Sequence, residues 1–202
     1  HTMAEAAKYA YADRSVHLGD PDFSDIPIAQ LTSKDYAATI AALIDPTAAT
    51  PSTEIAADPG RLPTESDETT HYSVVDDNRM AVSVTYTLNF SFGGGFAAEG
   101  TGVLLNNELD DFSAKPGTPN AYGLIGGAAN AVEPRKRPLS SMTPTILLRD
   151  DKLFMVTGSP GGSRIITTVM QIILNATVHR RDIMTSTTAP RVHHQWLPDY
   201  IR

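Results

Sequence analysis

Apolar and polar positions alternate along this chain at two spacings, the helical and the strand one, and each predicts elements. Met3, Ala6, Ala7, Ala10 and Tyr11 recur at helical spacing and predict an amphipathic helix from residue 3 to about 14. Gly19-Asp20-Pro21-Asp22 breaks it. Tyr36, Ala37, Ile40, Ala41 and Ile44 repeat the pattern behind Ser33, whose side-chain oxygen suits an N-cap, and show a second helix's apolar face to the core. Asp45-Pro46 ends that helix, because a residue before proline is pushed out of the helical region. Thr70 to Val75 and Met80 to Leu88 alternate with period two, as strands do, around the turn Asp76-Asp77-Asn78-Arg79. Thr145 to Arg149 and Leu153 to Thr157 predict a second hairpin around Asp150-Asp151, and Val103-Leu104-Leu105 a short strand. Ile165 to about Val178 is a core helix presenting Ile165, Ile166, Val169, Met170, Ile172 and Ile173.

Three stretches lack a period. Residues 46–68, rich in Pro, Thr, Ala, Ser and Glu, read as an exposed linker. Residues 90–102, with Gly93-Gly94-Gly95, read as a flexible loop, and Pro116 to Gly127, with Tyr122, as a surface loop able to act as a lid. In the strand from Met80 to Asn89, Met80, Val82, Val84, Tyr86 and Leu88 share one face, and Ala81, Ser83, Thr85, Thr87 and Asn89 the other. Periodicity alone slightly favours a solvated outer role for the polar face over a pocket lined by Thr87 and Asn89 beside Thr69.

Composition narrows the classes. The chain has 202 residues, 41% hydrophobic and 19% charged, which suits one soluble core. Its net charge of −7 argues against a nucleic-acid or anionic-membrane surface, and Arg135-Lys136-Arg137, between Pro134 and Pro138, reads as a solvated loop. With no cysteine there is no disulfide, thiolate metal site or cysteine nucleophile. Asp13, Asp20, Asp22 and Asp25 lack the alternation of a calcium loop, and His193 and His194, adjacent in an extended tail, point to opposite faces, so no metal and no cofactor is expected. His193 and Trp196 are expected half-buried next to the sheet. No apolar run approaches the roughly 20 residues of a membrane helix. No signal peptide opens the chain, and His1-Thr2-Met3 runs straight into a helix, which reads as an excised piece of a longer protein.

The candidate chemistry lies where the linker meets the first strand. Thr69 is a weak nucleophile on its own, but cleavage of the Glu68–Thr69 bond frees an α-amine of pKa about 8 on the same residue, suited to taking the hydroxyl proton. Gly158-Ser159-Pro160-Gly161-Gly162-Ser163-Arg164 leads directly into a helix and fits either an oxyanion hole or a plain glycine turn; the Gly-Lys-Ser/Thr of a nucleotide loop is missing. Glu108, Asp110 and Asp111 are either surface charge or a holder for an ammonium group.

Several segments in order resemble the γ-glutamyltransferase (γ-glutamyltranspeptidase) family of N-terminal-nucleophile hydrolases. They are Glu5-Ala6 with Tyr11-Ala12-Asp13-Arg14, Leu18 to Phe23, Thr69-Thr70-His71-Tyr72-Ser73-Val74-Val75-Asp76, Leu104 to Asn107, Asp110 to Ser113, Arg137 to Met142, and Gly158 to Arg164. The resemblance implies an α+β fold, a four-layer αββα sandwich present in part, and a precursor that cuts itself at Glu68–Thr69. Residues 1–45 would be the helical end of a large subunit, 46–68 the linker, and 69–202 most of a small subunit. It implies Thr69 as nucleophile and base, Thr87 as its hydrogen-bond partner, and Gly161 and Gly162 as the oxyanion hole. Asn89, Glu108 and Asp111 would hold the substrate α-amino group, Ser140 and Ser141 part of the α-carboxylate site, and Tyr122 would be the lid tyrosine reaching towards Asn89. This reverses the solvated reading of the polar strand face. Partners would be γ-glutamyl donors such as glutathione, amino-acid or peptide acceptors and the rest of the large subunit, in a periplasmic or extracellular setting. The family's carboxylate-binding arginine lies upstream of this chain, so the chain alone is expected to be weakly active or inactive. Rival readings are an acylase acting on β-lactam side chains or poly-γ-glutamate, and a non-catalytic assembly module that never cleaves; Asp111 and Ser140-Ser141 favour an amino-acid-like donor.

Overall fold

Thr2–His17 forms helix α1 in the computed structural model, which describes residues 1–55 and 69–202. Its buried face includes only Ala7 and Tyr11 of the predicted apolar stripe. Ala4, Ala7, Tyr11 and Ala12 are buried with Glu5, Lys8, Arg14 and Ser15, whereas Ala6 and Ala10 are exposed. Charges are tolerated inside because they are paired and hydrogen-bonded. Lys8 Nζ donates to Glu5 Oε1 at 2.8 Å and to the Thr50 carbonyl at 2.7 Å, and Glu5 Oε2 accepts the Thr50 N–H at 3.0 Å.

A single turn, α2 (Ile28–Leu31), precedes α3 (Lys34–Leu43). Ser33 Oγ accepts the Tyr36 N–H at 3.1 Å, as its position before the apolar repeat predicts. The apolar residues of α3 face Ala6, Tyr9 and Ala10 of α1 across an apolar cavity of about 450 Å³ instead of a filled core. At its edge Tyr36 donates to Asp13 at 2.7 Å, and that bond, with burial, pushes the phenol up to about 12.

Residues 46–55 are not simply an exposed linker. They end in a short helix, α4 (Ser52–Ile55), and Ser52 is fully buried. Ser52 Oγ donates to the Trp196 carbonyl at 2.5 Å, Trp196 Nε1 returns a bond to the Ser52 carbonyl at 2.9 Å, and Asp199 accepts the Ser52 N–H at 2.9 Å. The buried backbone is satisfied, so a polar stretch can be interior. The rest of that stretch, 56–68, with Glu68, lies outside the described residues.

These helices belong to one unit, made of residues 1–55, 109–140 and 192–202. Parts of two loops read as superficial, the basic loop and the Tyr122 loop, are packed into it. Lys136 is buried, 2.9 Å from Glu133 and over the Phe23 ring, while Arg137 donates from its backbone at 2.8 Å and from Nε at 2.9 Å to Asp20. Tyr122 to Ile125 are buried rather than superficial, because Asn120 Oδ1 accepts the N–H groups of Tyr122 and Leu124 and Gln195 donates to the Tyr122 carbonyl at 3.2 Å. His193 to Pro198 are buried against α1, not half-buried beside a sheet, with His193 edge-on to Tyr11 at 5.8 Å.

The other unit holds described residues 69–108 and 141–191. Strands β1 (Thr70–Val75) and β2 (Ala81–Tyr86) pair antiparallel, Thr70 opposite Tyr86. Asp76 makes their turn, accepting the Met80 N–H on Oδ1 at 2.7 Å. Strands β3 (Thr145–Arg149) and β4 (Lys152–Thr157) form the second hairpin, turned by Asp150 and Asp151 at φ 51° and 57°, the left-handed pair that a two-residue hairpin turn needs. Val103 to Leu105 make only an isolated bridge, Ala97 with Leu104, because the glycine loop folds back on them. Helix α5 (Ile165–Thr177) buries Ile165, Val169 and Ile172, leaving Ile166, Met170 and Ile173 half-buried, and α6 (Ile183–Thr188) is capped by Asp182. The architecture is mixed helix and strand, and the described sheets are two-stranded.

The β1–β2 hairpin turns its polar face inward. Ser83 Oγ donates to the Thr157 carbonyl of β4 at 3.0 Å, while Tyr72, Val74, Val82 and Tyr86 on the opposite face are exposed, Tyr86 at 62%.

Candidate active site

Thr69 stands one residue before β1. Continuing the β1–β2 register places it opposite Thr87, and its hydroxyl donates to Thr87 Oγ1 at 3.3 Å. Thr87 Oγ1 also accepts the Asn89 N–H at 2.9 Å, closing a local turn in which Asn89 takes φ 75°, a conformation asparagine tolerates better than most residues. Asn89 is buried and donates from Nδ2 to the Asn107 carbonyl at 3.2 Å. Asn107 in turn accepts the Phe90 N–H on its side chain at 3.1 Å and donates its own N–H to Leu88. This latch sets Glu108, which follows at once and opens a 3-10 turn, beside the end of β2. Thr69, Thr87, Asn89 and Glu108 thus form one connected run.

The inward face of the hairpin continues as a ladder of polar pairs. His71 Nδ1 lies 2.9 Å from Thr85 Oγ1 and its Nε2 3.1 Å from Ser73 Oγ. Burial holds the imidazole below its ordinary pKa, so it is neutral at neutral pH. The glycine loop leaves β4 beside this face. Gly161 and Gly162 have φ 125° and 54°, and a short 3-10 turn, Gly162–Arg164, leads into α5. Both backbones lie in the left-handed region, which a residue with Cβ would resist. Ser141 is half-buried in the same unit.

Asp111, Tyr122 and Ser140 belong to the other unit. There Asp111's carbonyl accepts the Asn130 amide at 2.7 Å and its charge acts on buried Arg14. Burial draws the Arg14 guanidinium down from its ordinary value, while the charges of Tyr11 and Asp111 act against that shift. Tyr122 is buried and Ser140 exposed. No cluster of three or more metal-ligating side chains occurs among the described residues.

The model of the gamma-glutamyltranspeptidase family matches residues 1–202. The chain belongs to that family. The glutathione hydrolase proenzyme of Escherichia coli (strain K12) is 62% identical over 201 residues, covering 99% of this chain and 34% of that relative. That of Pseudomonas sp. (strain A14) is 54% identical over 199 residues, 98% of this chain and 34% of its own length. The chain therefore spans about a third of the curated relatives it matches. A crystal structure of Helicobacter pylori gamma-glutamyltranspeptidase superposes with TM-score 0.64 at 61% identity, over 65% of this chain and 71% of that one. Cephalosporin acylase from Bacillus halodurans, 22% identical, superposes with TM-score 0.71 over 95% of this chain and 32% of its own, a likeness of fold alone.

The family read from the ordered motifs is thus the family found. Within this gamma-glutamyltranspeptidase chain, two contacts were invisible to residue patterns. Asn107 as the latch on Asn89 depends on a loop folding back, and the fit of Gly158 against His71 depends on two hairpins meeting. The Asn106-Asn107 pair in the motif was the available signal for the first.

Proposed function

We propose that the parent protein is a γ-glutamyl hydrolase and transferase that works through Thr69 after self-cleavage between Glu68 and Thr69. The observation that carries this reading is the hydrogen bond from Thr69 to Thr87, 3.3 Å long, at the entrance to β1 in a member of the gamma-glutamyltranspeptidase family. In the continuous chain the Thr69 nitrogen is an amide and accepts no proton. Cleavage converts it to an amine with a pKa of about 8, able to take the proton from its own Oγ1. The oxygen attacks the γ-glutamyl carbonyl, the N–H groups of Gly161 and Gly162 stabilise the tetrahedral oxyanion, and the amine's proton passes to the departing nitrogen. Water or an amino-acid amine then attacks the acyl-enzyme and restores Thr69. Losing one oxyanion donor typically costs about 3 kcal/mol of barrier.

Asn89, Glu108 and Asp111 hold the donor's α-amino group, and Ser140 and Ser141 contribute to its carboxylate site. Donors are glutathione-like, consistent with relatives named glutathione hydrolase. Residues 1–45 end a large subunit, 46–68 link it to the cleavage point, and 69–202 make most of the small subunit of a four-layer αββα sandwich. The remainder of the large subunit is a required partner, and the exposed apolar face of β1–β2 offers it a surface. The setting is periplasmic or extracellular; no described helix is long and apolar enough to cross a membrane.

Denatured intact mass of the full-length protein, with turnover of a γ-glutamyl anilide, tests the reading. Two fragments meeting at residues 68 and 69, with turnover abolished by Thr69→Ala, are expected. An uncut chain that releases no glutamate overturns it.

A further inference from the structure

Gly158 is a glycine for a reason different from that of Gly161 and Gly162. Its backbone is not in the left-handed region, so conformation does not demand it; space does. A Cβ built there would lie 2.2 Å from both Cε1 and Nδ1 of His71 and 2.8 Å from Cγ. The imidazole rests directly on the Gly158 backbone. Its orientation is fixed from the other side, since Nδ1 meets Thr85 Oγ1 and Nε2 meets Ser73 Oγ. One residue earlier, the Thr157 carbonyl takes the Ser83 hydroxyl at 3.0 Å. The end of β4 is therefore held against the polar face of β1–β2 at two consecutive residues. Upstream of His71 by two positions, on the same face, is Thr69; downstream of Gly158 by three is Gly161.

We propose that His71 is a positioning residue that, by packing on Gly158, sets the separation between the nucleophile Thr69 and the N–H groups of Gly161 and Gly162. It touches neither donor nor acceptor. The ring acts as a spacer of fixed thickness, tied to the strand that Thr69 opens and pressed on the strand that the glycine loop leaves. This inference rests on the proposed role of Thr69 and extends it to residues that have no part in the chemistry. A misplacement of about 1 Å between reacting groups can cost about 100-fold in rate, so a spacer of this kind has a measurable effect.

The test is a double-mutant cycle on the full-length protein, with kcat, KM and thermal midpoint measured on a γ-glutamyl anilide. Gly158→Ala forces the ring and backbone apart and is expected to lower kcat about 30- to 100-fold with KM changed less than about threefold. Adding His71→Ala to Gly158→Ala vacates the space for the methyl group and is expected to recover at least about tenfold of that loss. His71→Ala alone lowers kcat at least about fivefold without moving the thermal midpoint, and His71→Asn, which keeps a polar bond to Thr85, restores part of it. Should Gly158→Ala fail to fold, the two His71 variants decide. Wild-type kcat in His71→Ala, or a double variant no faster than Gly158→Ala, overturns the spacer. An inactive wild-type protein instead overturns the proposed function and this inference with it, so the two failures are distinguishable.

Discussion

The two units bury polarity in different ways. In the first, the interior holds full charges: Glu5, Lys8, Arg14 and Asp20 are all buried, and each faces a charged or backbone partner. In the second, the inward polar groups are neutral, namely the hydroxyls of Thr69, Thr87, Thr85 and Ser83, the amide of Asn89 and a neutral imidazole. Charged pairs fix long-range geometry but are punished heavily when one member is lost. Removing one neutral hydroxyl costs about 1 kcal/mol, less than breaking a buried charge pair. The first unit thus rests on paired charges, and the second on neutral hydrogen bonds.

That division can be broken by substitution. The largest effect is expected from Lys8→Met, which leaves the buried Glu5 carboxylate without its ammonium partner, 2.8 Å away, and removes the bond to Thr50. Breaking a buried pair this way costs about 3–5 kcal/mol, read as a shift of the urea midpoint followed by Trp196, the chain's single tryptophan, in the first unit. Next comes Thr87→Val in the second unit. Turnover by the full-length protein should fall about 100-fold, while the urea midpoint changes by no more than about 1 kcal/mol. A large stability loss with unchanged turnover would contradict the division outright.

Acid should separate the units further. Burial lowers His194, so it is held neutral, and its contribution to stability is complete above the unfolded pKa of about 6.5 and fades as pH falls towards its lower folded value. Burial pushes Glu5 up, but the bonds from Lys8 and Thr50 outweigh it and hold the carboxyl below its ordinary value. Asp199 behaves likewise through Ser52, Lys8 and His194. Their stabilisation is present above about pH 4 and lost as pH falls through the depressed values. Between about pH 7.5 and 5 each unit should weaken through one imidazole held neutral, the first through His194 and the second through His71, and below about pH 4 the first unit loses its two buried-pair carboxylates as well. Hydrogen exchange resolved by segment checks this: below about pH 4 protection of α1 should fall further than that of α5. The smallest effect belongs to Ser52→Ala, which removes one bond to the Trp196 carbonyl and should cost about 1 kcal/mol, measurable in the same urea titration.

Local features were legible in residue order. The Ser33 cap and the turns at Asp76 to Arg79 and at Asp150-Asp151 follow from short-range stereochemistry, and the structure keeps them. The candidate site was legible through motifs rather than periodicity, since alternation marked Thr87 and Asn89 as a distinct face but slightly favoured a solvated one. The structure puts that face inside and leaves Tyr72, Val74 and Tyr86 outside. Alternation states that two faces differ, and only the element packed against them says which is inner. Helix α1 shows the same limit: of its apolar stripe Ala7 and Tyr11 are buried but Ala6 and Ala10 are not, while Glu5 and Lys8 are buried because Thr50 and Asp199 meet them there.

By itself the sequence determined helices α1, α3 and α5, the two hairpins with their turns, and the family through its ordered motifs, but not α4 inside the polar stretch or the bridge at Leu104 where a strand is expected. Tertiary structure decided which faces are buried, that Arg137 serves Asp20, that Ser52 locks to Trp196, and that His71 rests on Gly158. The reason is distance along the chain. Caps and turns join residues two to four apart, whereas these contacts join residues 117, 144 and 87 positions apart, whose meeting depends on how the whole chain packs.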